Sequence, residues 1–318
     1  MEKRLSALLR LAIKSNASDI HLSLRYGEVT IQMRVDGDLK KVKPKIGDDR
    51  LIRYLQYLSN LDIGTSIDPQ TGKFEYYIDD VLLSLRFAVI TMPDRIDGVL
   101  RIMNSSLKID EEHLSCRKWQ NELFHSLVRR ENGLILFSGK TGSGKTTTLY
   151  NLLKQVSYKK IYTIEDPIEV YDENFVQLQV NRTAGLNYEH YVQQVLRHDP
   201  DIIMIGEIRD EKAARIAVVA ANTGHLVLST IHASSASSII SRMSELGVRE
   251  DHLYEVLLCL SNQKMVNNTD GGKTVIYELM DEEEIEYFRK NGRNSEDFES
   301  VEKQYRQGVK ENRFKVDS

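Results

Sequence analysis

Residues 139–146 read Gly139-Lys140-Thr141-Gly142-Ser143-Gly144-Lys145-Thr146 and fit the phosphate-loop pattern G-x-x-x-x-G-K-[ST]. Glycines at these positions let backbone N–H groups turn inward around phosphate oxygens. Lys145 has the reach and charge for the β and γ phosphates, and Thr146 can offer its hydroxyl to Mg²⁺. The binding stretch is expected to run from Gly139 through Thr147. An apolar run, "LILF", precedes the loop, and "TTTLYNLLKQV" follows with the pattern of a helix. A strand, a glycine loop and a helix in that order suit a nucleoside triphosphate such as ATP.

A metal-bound triphosphate attracts acids, and two strand ends supply them. In "DIIMIGEIRD" the run Ile202-Ile203-Met204-Ile205 stops at Gly206 and delivers Glu207. In phosphate-loop proteins a neighbouring strand presents an acid to the Mg²⁺, so Glu207 is expected on the metal side with Thr146. In "TIEDPIE" a second strand end carries Glu165, Asp166 and Glu169, with Pro167 turning the chain. Taken alone this is equally a solvated turn. A third strand, in "TGHLVLSTIHA", is bracketed by His225 and His232. A lone histidine is ordinarily structural, but two around a strand whose neighbours carry phosphate chemistry are candidates for function.

These residues need a frame. "GLILFSG", "KIYTIEDP", "DIIMIGE" and "HLVLSTIH" are short apolar runs separated by helical stretches, the signature of a doubly wound, mainly parallel α/β sheet over 119–280. Before it, residues 1–103 read as a smaller α+β domain. That domain has a helix near 3–15, then "EVTIQMRVDG" with Val29, Ile31, Met33 and Val35 on one face, and a turn at Asp36-Gly37. A helix near 49–60, the turn-rich "DPQTGKF", the strand "VLLSLRFAVI" and "DGVLRIM" complete it. The polar stretch 104–118 reads as a linker. Residues 281–318 form a charged tail in which Phe298, Val301 and Tyr305 fall at helical spacing.

Composition narrows the class. The 318 residues carry a formal net charge of -4, a mild argument against general nucleic-acid binding. No apolar run approaches the roughly 18 residues of a membrane span, and the amphipathic start is too broken for a secretory signal. Cys116 and Cys259 form no metal or redox spacing, as expected in a reducing cytoplasm.

Taken in order, "GKTGSGKTTTLY", "TIEDPIE", "RHDPDIIMIGEIRD" and "TGHLVLSTIH" resemble the Walker A, Asp box, Walker B and His box of the secretion and type IV pilus ATPase family. "ASDIHL" and "MRVDGDL" resemble that family's amino-terminal domain. Within the family, "QLQVNRTAGLNYEHYVQQVLRHDPDIIMIGEIRD" is most similar to the competence ATPases of Gram-positive bacteria. The length leaves no room for the extra amino-terminal domain of longer members, and the "AIRNLIRE" motif of the retraction ATPases is not found. The resemblance implies a RecA-like ATPase domain preceded by a PAS-like domain, with ATP and Mg²⁺ bound. It implies a cytoplasmic, ring-forming and hexameric enzyme held peripherally at the membrane by an inner-membrane platform protein, acting on pseudopilins without binding nucleic acid directly. Assembly of a competence pseudopilus for DNA uptake is the implied work; pilus retraction and a nucleic-acid-dependent motor are the alternatives.

The resemblance also implies site roles. Glu165 is assigned to the attacking water and Glu207 to Mg²⁺, probed against the reverse assignment by Mg²⁺ titration. "SLRFAV" and "VLRIM" resemble the arginine-bearing segments, which makes Arg86 and Arg101 candidates to act across a subunit interface. Arg95, read as lying in a loop, is a weaker candidate. Two departures stand out. The four-cysteine zinc element of many assembly ATPases is missing, so no zinc is expected. The family's "HTNDA" appears as "HASSA", with Ser235 where the acid is expected and His232 kept.

Overall fold

The computed structural model describes residues 1–316 apart from 36, 64–67, 80, 104–113, 169 and 182–184. The chain divides into two compact units, Met1–Leu107 and Lys108–Ser318.

In the first unit, helix α1 (Glu2–Lys14) buries Leu5, Leu8, Leu9 and Ala12, one stripe at the helical repeat. Helix α2 (Leu51–Leu58) buries Leu51, Ile52 and Leu55. Both pack with one face of a six-stranded antiparallel sheet. Its strands are β1 (Ala17–Arg25), β2 (Glu28–Val35), β3 (Asp38–Val42), β4 (Gln70–Ile78), β5 (Val81–Met92) and β6 (Arg95–Ile102), in the order β3-β2-β1-β6-β5-β4. Ile31, Met33 and Val35 face the core as their alternation predicts, and Val29 is half-buried beside them. Two expectations change. "DPQTGKF" is mostly strand, because Gln70 to Phe74 pair with Val89 to Leu85 of β5. Arg95 opens β6 rather than lying in a loop, opposite Met92. Asp36, half of the expected Asp-Gly turn, lies outside the described residues, whereas Gly37 has φ +94°.

The second unit is built on a seven-stranded sheet. Its strands are β7 (Gly133–Ser138), β8 (Ile161–Glu165), β9 (Phe175–Gln179), β10 (Ile202–Ile208), β11 (Leu226–Ile231), β12 (Leu257–Asn267) and β13 (Lys273–Met280), in the order β13-β12-β7-β11-β10-β8-β9. All neighbours are parallel except β12 and β13. Helices cover both faces, so successive residues of β7 enter two different cores. Leu134 and Leu136 join the side of α5 (Tyr188–Val195), α6 (Glu211–Asn222), α7 (Ser238–Glu245) and α8 (Glu250–Val256). Ile135 and Phe137 join the side of α3 (Lys118–Leu127) and α4 (Lys145–Lys154). This explains why the strands read as continuous apolar runs.

The expected linker is partly folded. Residues 104–113 lie outside the described ones, but Leu114 and Ser115 are buried. Ser115 exchanges backbone hydrogen bonds of 2.8 and 2.7 Å with the Asn121 side chain in α3, which ties this end to the second unit. The charged tail forms α9 (Glu282–Asn291) and α10 (Val301–Lys310). Val301, Tyr305 and Val309 pack on a small cluster of Val266, Ile276 and Phe314. Glu278 of β13 is buried beneath this tail and accepts from the N–H groups of Ala236 (2.7 Å) and Val301 (3.1 Å). Burial pushes its carboxyl above the usual range.

Candidate nucleotide-binding and catalytic site

In a doubly wound sheet, ligands bind beyond the carboxyl ends of the strands, where the strand order reverses. Here β7 is followed through α4 by β8, across β11 and β10, and β12 returns on its other side. The ends of β7, β8, β10 and β11 bring forward the loop 139–146, Glu165, Glu207 and His232.

The loop is shaped by its glycines and by β12. Gly139 has φ +142°, and a side chain there would stand 2.4 Å from the carbonyl oxygen of Gln263. The Gln263 side chain donates to the Ser143 carbonyl at 2.7 Å, and Ser143 N–H donates to the Lys140 carbonyl at 3.1 Å. Lys145 opens α4 and donates to the carbonyls of Gly139 (2.8 Å) and Lys140 (3.2 Å). Thr146 and Thr147 are half-buried in the first turn of α4, and Thr141 and Gly142 are exposed. Ser143 Oγ is buried with no hydrogen-bond partner. An orphaned hydroxyl inside a glycine cradle at a helix start fits an anionic ligand.

Glu165 ends β8 and is 3% exposed. Its Oε1 accepts from Tyr150 OH at 2.6 Å and from Thr163 Oγ1 at 2.7 Å. β8 and β10 approach closely here, because a side chain at Gly206 would meet the Ile164 carbonyl at 3.2 Å and Glu165 Cα at 3.4 Å. Glycine thus brings the two acidic strand ends together. The ladder between β10 and β11 shifts register between Ile205 and Ile208. Ser229 and Thr230 hydroxyls satisfy the carbonyls of Ile205 (2.6 Å) and Gly206 (2.7 Å) there.

Glu207 lies within this irregular stretch. Its Oε2 accepts from Arg209 at 2.8 Å, and this pairing is the first cause of the raised pKa of Arg209. His232 Nε2 stands 2.9 Å from Glu207 Oε1 without the alignment of a hydrogen bond, which leaves that buried oxygen without a donor. A buried carboxylate oxygen lacking a donor fits a hard cation such as Mg²⁺. Asp210, next in sequence, is the cap of α6, accepting from Ala213 N–H at 2.9 Å.

His225 is not part of this cluster within the subunit. It precedes β11, whereas His232 follows it, and the Gly133 N–H at the start of β7 donates to its carbonyl at 3.2 Å. Two residues bracketing a strand necessarily sit at its opposite ends, roughly 20 Å apart at about 3.3 Å per residue. Its Nδ1 instead approaches Thr223 and the Ala220 carbonyl, both at 3.3 Å, near the end of α6. Glu169 lies outside the described residues, and Asp166 is half-buried.

Ser235, standing where the resemblance expects an acid, has a capping role. Its Oγ accepts from Ser238 N–H at 3.1 Å, and Ser238 Oγ accepts from Ser235 N–H at 2.8 Å, a reciprocal pair at the start of α7.

Arg86 and Arg101 lie in the first unit, directly opposite one another on β5 and β6. Arg101 donates to Asp19 Oδ1 at 2.8 Å, and the buried Asp19 also accepts from Ser18 Oγ at 2.7 Å. Register extends the row across the sheet as Arg34, Asp19, Arg101, Arg86 and Lys73. Asp19 thus stands between Arg34 and Arg101 in register, and Arg86 faces Arg101 on its other side. Arg95 pairs locally with Asp97 at 2.6 Å.

Sequence reasoning missed Tyr150, Thr163, Gln177 and Gln263. Thr163 was within reach, since residues two apart on a strand share a face. Tyr150 and Gln177 reach Glu165 from the neighbouring elements α4 and β9, and Gln263 reaches the loop from β12, 120 residues on.

A family model described as "Type II/IV secretion system protein" matches residues 1–313. The "Competence protein ComGA" of Halalkalibacterium halodurans is 40% identical over 266 residues, covering 82% of this chain and 76% of that one. Among solved structures, the ATPase DotB of Legionella pneumophila is similar with a TM-score of 0.74 and 24% identity, over 99% of this chain and 89% of that one. The pilus retraction motor PilT with bound ADP is similar with a TM-score of 0.73 and 25% identity, over 98% and 94%.

Proposed function

This chain belongs to the type II/IV secretion system protein family and is an ATPase, and we propose that it works as a hexameric ring powering assembly of a competence pseudopilus for DNA uptake. The observation that carries the catalytic part is the gathering of the phosphate loop, Glu165, Glu207 and His232 at the carboxyl ends of four neighbouring strands. The relative's name, competence protein, supports the biological role.

In this reading the N–H groups of the loop bind the phosphates. Lys145 exchanges its contacts with the Gly139 and Lys140 carbonyls for phosphate oxygens. Thr146 and Glu207 would hold Mg²⁺, which would supply positive charge against the phosphates. Glu165 orients the attacking water and accepts its proton. His232, 2.9 Å from Glu207, lines the same site. Arg86 and Arg101 neutralise charge across a subunit interface. Among the described residues no helix is long and apolar enough to cross a membrane. We propose peripheral attachment through a platform protein.

The decisive experiment is an ATPase assay of each oligomeric form, for wild type and Lys145→Ala, with and without DNA and the platform protein's cytoplasmic domain. Hydrolysis by the assembled form, stimulated by the platform domain and lost in Lys145→Ala, is expected. Stimulation by DNA alone, with a steep salt dependence, would instead indicate a nucleic-acid motor. Deletion of the gene should abolish transformation; hyperpiliation would indicate retraction.

A further inference from the structure

Tyr150 lies on α4, five residues after Lys145, and its ring is buried against the second core of the sheet. Its hydroxyl is 2.6 Å from Glu165 Oε1. The protons around it follow from donor capacity together with acceptor strength. Gln177 Nε2 has two hydrogens and reaches both Tyr150 OH (2.7 Å) and the Val170 carbonyl (2.8 Å). Gln177 Oε1 accepts from Asp172 N–H at 2.8 Å. Two acceptors lie within reach of the Tyr150 hydroxyl, Glu165 Oε1 at 2.6 Å and the Val170 carbonyl at 3.0 Å. The Val170 carbonyl already accepts from Gln177, and the nearer carboxylate is the stronger acceptor, so the single hydrogen goes to Glu165. Burial first, and then the Glu165 charge, keep the phenol protonated far above neutral pH.

We propose that Tyr150 is a positioning residue that ties the Glu165 carboxylate to the phosphate-loop helix. The hydroxyl fixes one oxygen of the acid together with Thr163. Because Tyr150 and Lys145 share one helix, the acid is located relative to the bound phosphates by a rigid element. Gln177 braces the hydroxyl from β9 and pins the 170–172 segment beside it. This inference rests on the reading of Glu165 as the group that orients the attacking water.

The test uses the full chain and compares wild type, Tyr150→Phe, Glu165→Gln and the double variant. Tyr150→Phe keeps the ring and removes only the donor. Its kcat should fall about tenfold or more, with KM within about twofold. A donor to a carboxylate favours its charged form, so losing it should move the acid limb of the kcat profile to higher pH. In the Glu165→Gln background the same change should leave the residual rate unaltered within about twofold. Gln177→Leu, at a half-buried position, should move the limb in the same direction by a smaller step and serves if Tyr150→Phe folds poorly. An unmoved pH profile, or a loss in the double variant that simply multiplies the two single losses, would overturn the proposal while leaving Glu165 in its role. Wild-type turnover by Glu165→Gln would overturn the role of Glu165 and this proposal with it.

Discussion

Replacing Gly139 by alanine separates the fold's demand for glycine from the loop's tolerance of it. The added methyl would stand 2.4 Å from the Gln263 carbonyl oxygen and 2.8 Å from Ser143 Oγ, at φ +142°. Gln263 cannot simply retreat. It pairs with Tyr277 of β13 on one side, while its neighbour Asn262 pairs with Ser138 of β7 on the other. Forcing the backbone into so rare a region costs about 1–3 kcal/mol, and overpacking costs about another 1–3 kcal/mol. Together these imply roughly 2–6 kcal/mol, or on the order of 10 °C for a unit of this size. The same change at Gly142 meets nothing within 4 Å at φ +80°. It should therefore cost only the left-handed backbone term, about 1–2 kcal/mol. Urea unfolding of nucleotide-free protein, followed by titration with a non-hydrolysable ATP analogue, measures both effects. Gly139→Ala should unfold at clearly lower urea and bind about tenfold more weakly or worse, because the loop must move to escape the clash. If it is as stable as Gly142→Ala, or binds like wild type, the packing of β12 against the loop is not what shapes the site.

Three further outcomes are expected. Glu165→Gln should bind Mg·ATP near normally, because the amide oxygen can still accept from Tyr150 and Thr163, yet lose about 100-fold or more in kcat; retained turnover would remove Glu165 from the mechanism. Glu207→Gln should also lose turnover, but with a raised Mg²⁺ requirement in a titration at fixed ATP; if that shift appears in Glu165→Gln instead, the two roles are reversed. Arg86→Ala should spare the fold, whereas Arg101→Ala also strips the buried Asp19 of its charged partner and should lower stability; both should depress hydrolysis in the assembled form, and co-assembly with Lys145→Ala should restore part of it. Absence of rescue in proven mixed assemblies would count against action across an interface.

The local chemistry of this protein was legible in its sequence. A phosphate loop is a contiguous string whose glycines, lysine and threonine act through their own backbone and side chains, so Gly139 to Thr146 needed no partner to be recognised. The runs that became β7, β8, β10 and β11 were legible because strands buried on both faces must be apolar throughout. Glu165 and Glu207 followed from lying at the ends of two such runs. What the tertiary structure decided was everything set by strand order and register. His225 and His232 look equivalent in a string, yet a strand has two ends, and only one end of a parallel sheet carries the phosphate loop. The cationic row that joins Arg34, Arg101, Arg86 and Lys73 exists only through antiparallel register, since those residues come from four separate strands. Tyr150, Gln177 and Gln263 gave no local sign, because a buried polar side chain acquires its meaning from the group it faces, and each faces one brought from another element.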